Sequence, residues 1–185
     1  MDMRQAKRVV VKIGSSSLTH SQGMINIRAM EKIVKVLSDI KNSGKEIIIV
    51  TSAAVAVGMG KLGLRERPKD IPTKQATAAV GQCELMYLYD KMFAEYHHTV
   101  AQVLLTKDNI TSGDVSLCNI ENTFRRLIEM DVIPIVNEND TVATDELKIG
   151  DNDNLSAMVA YLTQAEALII LSDIEGLYTA NPRLD

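Results

Sequence analysis

Tryptophan is absent from the 185 residues, and aromatic residues together make up only 4%. A chain so poor in rings offers no base-stacking platform and no aromatic shelf for sugars. Cysteine is scarce too. Cys83 and Cys118 stand far apart, fit no zinc or redox spacing, and read as reduced, buried thiols. With 10 Gly and 4 Pro against 46% apolar and 24% charged residues, a collagen-like repeat, a low-complexity linker and a disordered tail are excluded. No apolar run is long enough to span a membrane, and the N-terminal MDMRQAKRVVVKIGSS is too weakly apolar for a signal peptide. The expectation is a cytoplasmic protein, in which the sequons at Asn109, Asn139 and Asn154 carry no meaning. A net charge of −4 argues against non-specific nucleic-acid binding as the main activity. His20, His97 and His98 show no metal-ligand spacing.

What the chain does have is order along its length. Five short apolar runs, Val9–Ile13, Ile47–Val50, Val100–Leu105, Val132–Val136 and Leu168–Leu171, are continuous and rich in Val and Ile. Strands buried on both faces read this way. Between them lie helical patterns. Ile27, Met30, Val34, Leu37 and Ile40 recur at helical spacing, with Gly44 as a stop. Further helices are expected over Lys74–Tyr96, Cys118–Met130 and Leu155–Leu162, the last preceded by capping Asp and Asn. Strand and helix in alternation predict an α/β fold, a mainly parallel sheet with helices on both faces. Arg65–Pro72, charged and holding two prolines, reads as a loop, and Thr141–Gly150 as a possible hairpin.

In such sheets ligands bind beyond the carboxyl ends of the strands. Those ends are polar here: Lys12 to Ser17, Thr51-Ser52, Thr106-Lys107-Asp108, Asn137 to Asp140, and Ser172-Asp173. Lys12 stands inside VVVKIG, where an ammonium group needs an anion or a route to the sheet edge. If the anion is a phosphate, Gly14 lets backbone N–H groups approach it. Gly58-Met-Gly60-Lys-Leu-Gly63 matches a dinucleotide fingerprint but follows a helix-like stretch, so that match is set aside. Asn137-Glu138-Asn139-Asp140 suits either a capped turn or an amino-acid ligand, with a carboxylate for the ammonium and amides for the carboxylate. Strict strand geometry puts Asn137 and Asp140 on opposite faces, so a shared ligand requires the chain to leave extended geometry there. Gly150-Asp151-Asn152-Asp153-Asn154 opens a helix. Its carboxylates either answer the helix dipole, hold a lysine or help bind Mg²⁺.

Taken together, VVVKIGSSSLT, IIIVTSAAVAVG, KQATAAVGQ, AQVLLT, VIPIVNENDTVAT, IGDNDNLSAMVA and LIILSDIEGLYTANPR resemble the amino acid kinase family, specifically its glutamate-phosphorylating branch, over nearly the whole chain. The resemblance implies an α/β/α sandwich, incomplete at the C-terminus, with residues 1–165 as the glutamate-binding part and 166–185 as the start of the nucleotide-binding part. It implies ATP-dependent phosphorylation of the L-glutamate side-chain carboxylate to L-glutamate 5-phosphate, the first step of proline biosynthesis, with ATP and Mg²⁺. Lys12 is then the contact to the transferring phosphoryl group and Asp153 the organiser of phosphate-binding lysines. Ser52, Asn137, Asp140 and Asn152 bind glutamate. Gly14, Lys148, Ser172 and Asp173 serve ATP. The resemblance further implies a homo-oligomer, feedback inhibition by proline, and delivery of the product to a glutamyl phosphate reductase. Two departures stand out. The family often reads Ser-Gly-Ala where this chain has Ser52-Ala53-Ala54, an added methyl expected to be tolerated. The family also continues with more of a nucleotide-binding half, and many members add a PUA domain. The alternatives are a sibling kinase, such as one acting on acetylglutamate, and a non-catalytic module that binds glutamate or proline.

Overall fold

The computed structural model describes residues 5–20, 24–106, 109, 114–143 and 152–172. Each apolar run becomes a strand: β1 (Arg8–Ile13), β2 (Glu46–Thr51), β3 (Val100–Leu105), β4 (Ile133–Glu138) and β5 (Ala167–Leu171). All pairings are parallel, in the order β3-β4-β2-β1-β5. The strands are continuous hydrophobic runs because both their faces are covered. Val9, Val11, Ile13, Ile47, Ile49, Ile133 and Ile135 belong to one core, while Val10, Ile48, Val50 and Val136 belong to another. Successive residues thus alternate between two buried layers.

The helices that flank the sheet among the described residues are α1 (Ser15–Leu18), α2 (Ile27–Asn42), α3 (Ala54–Leu62), α4 (Ile71–Ala94), α5 (Asp114–Glu129) and α6 (Asn152–Leu162). Helices α2, α3 and α4 cover the first face through Met30, Val34, Val57, Leu85, Tyr89 and Phe93. Helices α5 and α6 cover the second through Phe124, Leu155 and Val159. The expected doubly covered parallel sheet is therefore present. Among the described residues, no helix is long and apolar enough to cross a membrane.

Local signals explain where the helices start. The Asn26 side chain accepts from the Ala29 N–H at 3.1 Å and caps α2. Helix α4 begins three residues before the expected Lys74. The Asp70 carboxylate accepts from the Thr73 N–H at 2.9 Å, and Pro72 sits in the first turn, where its missing N–H costs nothing. Pro72 is thus a start signal, not part of the preceding loop. Helix α6 likewise begins at Asn152, so Asn152 and Asp153 lie within its first turn. Of the expected hairpin, Thr141 and Val142 form a turn that leads to Ala143, and 144–150 lie outside the described residues. The cysteines are free but both exposed, correcting the expectation of burial. Cys83 falls beside the buried stripe Ala78, Gln82, Leu85, Tyr89 and Phe93 of α4 and not on it.

The glycine-rich match at Gly58–Gly63 falls in α3, with Gly63 as its left-handed C-cap, and Gly58 serves packing. A Cβ on Gly58 would lie 1.9 Å from the Thr77 carbonyl oxygen, and one on Gly81 would lie 1.7 Å from the Ala54 carbonyl oxygen. Helices α3 and α4 therefore meet backbone to backbone, a contact only hydrogen side chains permit. Immediately before α3, Ala53 holds φ 84, the left-handed conformation. The cost of alanine there is backbone strain, about 1 kcal/mol.

Two substitutions should act in opposite directions. Gly81→Ala should destabilise the protein by at least about 2 kcal/mol, because the neighbouring atoms are backbone and cannot turn aside. Ala53→Gly should stabilise it by about 1 kcal/mol, raising the melting temperature by roughly 2–4 °C. Calorimetric melting of both variants checks the pair.

Candidate active site

The parallel register brings the carboxyl ends of β1, β2 and β4 side by side, pairing Ile13 with Thr51 and Val50 with Val136. Lys12 is the penultimate residue of β1 and is 7% exposed. Its Nζ lies 2.6 Å from Oδ1 of Asp153 in the first turn of α6. A buried ammonium needs such a partner, and Asp153 keeps its own side chain 44% exposed, so the pair opens toward the strand ends. Asp153 thus holds a lysine, and from the first turn of α6 it also answers the helix dipole.

An amide network runs from α4 across the sheet edge to α6. Asn152 Nδ2 donates to the Thr51 carbonyl at 2.7 Å, to Ser52 Oγ at 2.8 Å and to Asn137 Oδ1 at 3.1 Å. Asn137 in turn donates from Nδ2 to Gln82 Oε1 at 2.9 Å, and its Oδ1 accepts from the Glu138 N–H at 2.9 Å. Below this layer, Thr51 Oγ1 and Tyr89 Oη are 3.0 Å apart. Burial pushes the Tyr89 hydroxyl up to about 12, against the opposing pull of the Thr51 hydrogen bond, so it stays a neutral partner.

Beside this edge lies a cavity of about 750 Å³, whose lining includes Ser52, Asn137, Asp140 and Asn152. All four residues expected to bind an amino acid thus share one cavity. Asn137 and Asp140 reach it together because β4 ends at Glu138 and the chain turns, with the Val142 and Ala143 N–H groups both donating to the Asn139 carbonyl. That is the departure from extended geometry the sequence required. The lining also contains Arg67, Lys69 and Lys74, cations contributed by the 64–70 loop and α4. A cavity with amides, two carboxylates (Glu138 and Asp140) and several cations suits a small anionic molecule that also carries an ammonium group.

Not every polar strand end takes part. Thr106, after β3, is held in a local turn by Asn109, whose Oδ1 accepts from its N–H at 2.8 Å. Ser172, after β5, is exposed and does not line the cavity. Gly14 is buried, with room for a Cβ only 3.3 Å from the Leu171 carbonyl and 3.7 Å from Lys12 Nζ. Its own N–H donates to the Leu171 carbonyl at 3.2 Å, and Ser15 and Ser16 follow it at the start of α1. Lys107, Asp108, Lys148, Asp151 and Asp173 lie outside the described residues.

Sequence reasoning overlooked Gln82, Tyr89 and the cavity cations. Gln82 had a signal: it is the one amide among the buried residues of α4. Arg67 and Lys69 had none, because a charged loop reads as solvated unless its fold over a cavity is known.

The sequence profile of the amino acid kinase family matches residues 7–185. The glutamate 5-kinase of Clostridium tetani is 51% identical over 183 residues, which cover 99% of this chain and 68% of that protein. The glutamate 5-kinase of Carboxydothermus hydrogenoformans is 55% identical over 182 residues, covering 98% of this chain and 49% of that protein. The chain therefore spans about two thirds of the first relative and half of the second. The crystal structure of a T. acidophilum isopentenyl phosphate kinase product complex superimposes with a TM-score of 0.66 at 19% identity, covering 96% of this chain and 75% of that one. With a parallel sheet covered on both faces, polar strand ends gathered at one cavity, and a profile match along nearly its full length, this chain belongs to the amino acid kinase family.

Proposed function

We propose that the cavity binds L-glutamate and that the protein transfers the γ-phosphoryl group of ATP to the glutamate side-chain carboxylate. The product is L-glutamate 5-phosphate, and the reaction is the first step of proline biosynthesis, carried out in the cytoplasm. The observation that carries this is the Lys12–Asp153 pair at 2.6 Å, held at the strand ends next to the Ser52, Asn137, Asp140 and Asn152 edge.

The chemistry asks little of the protein beyond placement. A carboxylate is already ionised at neutral pH, so no general base is needed. Asp140 answers the ammonium group of glutamate, and Ser52, Asn137 and Asn152 orient its polar ends. Lys12 meets the transferring phosphoryl group and neutralises the charge that spreads over its oxygens. Asp153 keeps the lysine aimed without removing its charge from the site. Gly14 leaves room for the phosphates beside Lys12, with the Ser15 and Ser16 amides as donors. Ser172 belongs to the nucleotide side, together with Lys148 and Asp173. Mg²⁺ would come with the nucleotide, ligated chiefly by its phosphate oxygens. In this proposal residues 1–165 form the glutamate-binding part and 166–185 open the nucleotide-binding part, joined through the β1–β5 pairing. A homo-oligomer, inhibition by proline and delivery of product to a glutamyl phosphate reductase complete it.

Calorimetric titration of the chain with L-glutamate, without nucleotide, should give saturable heat. A flat titration of folded protein overturns the proposal. In an assay that traps acyl phosphate with hydroxylamine, Lys12→Met should lower kcat by roughly 10²–10³ while the KM for glutamate changes less than about threefold. A large rise in that KM with kcat retained would instead place Lys12 in glutamate binding.

A further inference from the structure

The amides at the cavity edge form a chain with a direction. Asn152 donates to Asn137, and Asn137 donates to Gln82, at 3.1 and 2.9 Å. Two backbone groups fix that direction. The Glu138 N–H can only donate, so the atom it meets in Asn137 is the carbonyl oxygen. The Thr51 carbonyl can only accept, so the atom it meets in Asn152 is the nitrogen. With both amides set this way round, Gln82 must present its oxygen. It does, although its Nε2 is then buried with no partner among the described residues and the residue is only 7% exposed. A buried donor left unsatisfied is an unfavourable arrangement, kept here in favour of the acceptor.

At the far end, Asn152 commits its nitrogen to three protein acceptors and lines the cavity. The polar atom it can offer a ligand is therefore its carbonyl oxygen. We propose that Gln82 is a positioning residue: its buried side-chain oxygen takes the Asn137 amide and braces the Asn137–Asn152 relay in the polarity the backbone fixes, and the relay ends in an acceptor that, with Asp140, selects a ligand bearing an ammonium group. Gln82 touches no ligand. It is well placed to hold the relay still, because Gly81 beside it packs against the backbone of α3. The inference rests on the proposal that the cavity takes an amino acid, and it explains how the amine of that ligand is distinguished.

Titration of the unmodified chain, Gln82→Met and Gln82→Glu with L-glutamate and with glutarate, which lacks the amine, tests it. The unmodified chain should prefer glutamate. Gln82→Met keeps the length but loses the acceptor. It should weaken glutamate about tenfold and leave glutarate within about twofold, since the Asn152 oxygen at the end of the relay has a partner in the ammonium group and none in glutarate. Gln82→Glu keeps an acceptor and should restore the preference. Equal weakening of both ligands by Gln82→Met, or no restoration by Gln82→Glu, overturns the inference. If Gln82→Met does not fold, Gln82→Glu decides alone: the unmodified preference upholds the relay and a lost one overturns it. If the unmodified chain binds both ligands alike, amino-acid binding stands and the relay fails; if it binds neither, both fall.

Discussion

An ammonium group one residue from the end of a buried strand has to be neutralised, and Asp153 does so for Lys12. Much of the site follows from that need. Asp153 reaches Lys12 because α6 starts where the β1, β2 and β4 ends converge, and the residue before it, Asn152, then lands against Thr51, Ser52 and Asn137. One helix start thus anchors the cation and closes the amide network. The pair also remains open on the carboxylate side, which separates it from a buried salt bridge that serves structure alone.

The other half of the site is positioned from the opposite face of the sheet. Helix α4 supplies Gln82 and Tyr89, and its close contact with α3 fixes the chain where Ser52 and Ala53 leave β2. The cavity edge is therefore gripped from both layers, α6 on one side and α3–α4 on the other. The strained φ of Ala53 belongs to this geometry, since the turn from β2 into α3 requires a left-handed residue whether or not glycine is present.

The strands and the layering were legible in the sequence because burial on both faces leaves a continuous apolar run, and nothing else competes with that pattern. Several of the cavity's polar residues were legible too: Ser52, Asn137, Asp140 and Asn152 stand just beyond strand ends or at a helix start, the edge at which ligands of such sheets bind. Helix starts were harder. Pro72 is a breaker inside a helix and an initiator in its first turn, and only the Asp70 cap distinguishes the two. Gln82 was hidden because its meaning depends on Asn137, a residue 55 positions away with which it shares no local pattern. The cations of the 64–70 loop were hidden because charge in a loop is the ordinary state of a surface. The left-handed Ala53 violates a backbone preference, and no residue type announces that.

The pairing of β1 with β5 has a consequence for how the protein comes into being. Val9–Ile13 are made well before their partners Ala167–Leu171. On a ribosome, β1 can zip to β2 early, yet its other edge, including the Gly14 N–H that later meets Leu171, waits for nearly the whole of the intervening chain. For that interval the nascent sheet carries an open, strongly apolar strand edge of the kind that recruits other chains. Protection during synthesis, by a chaperone or by rapid burial under α2, is therefore a demand that the topology itself places on the cell that makes this protein.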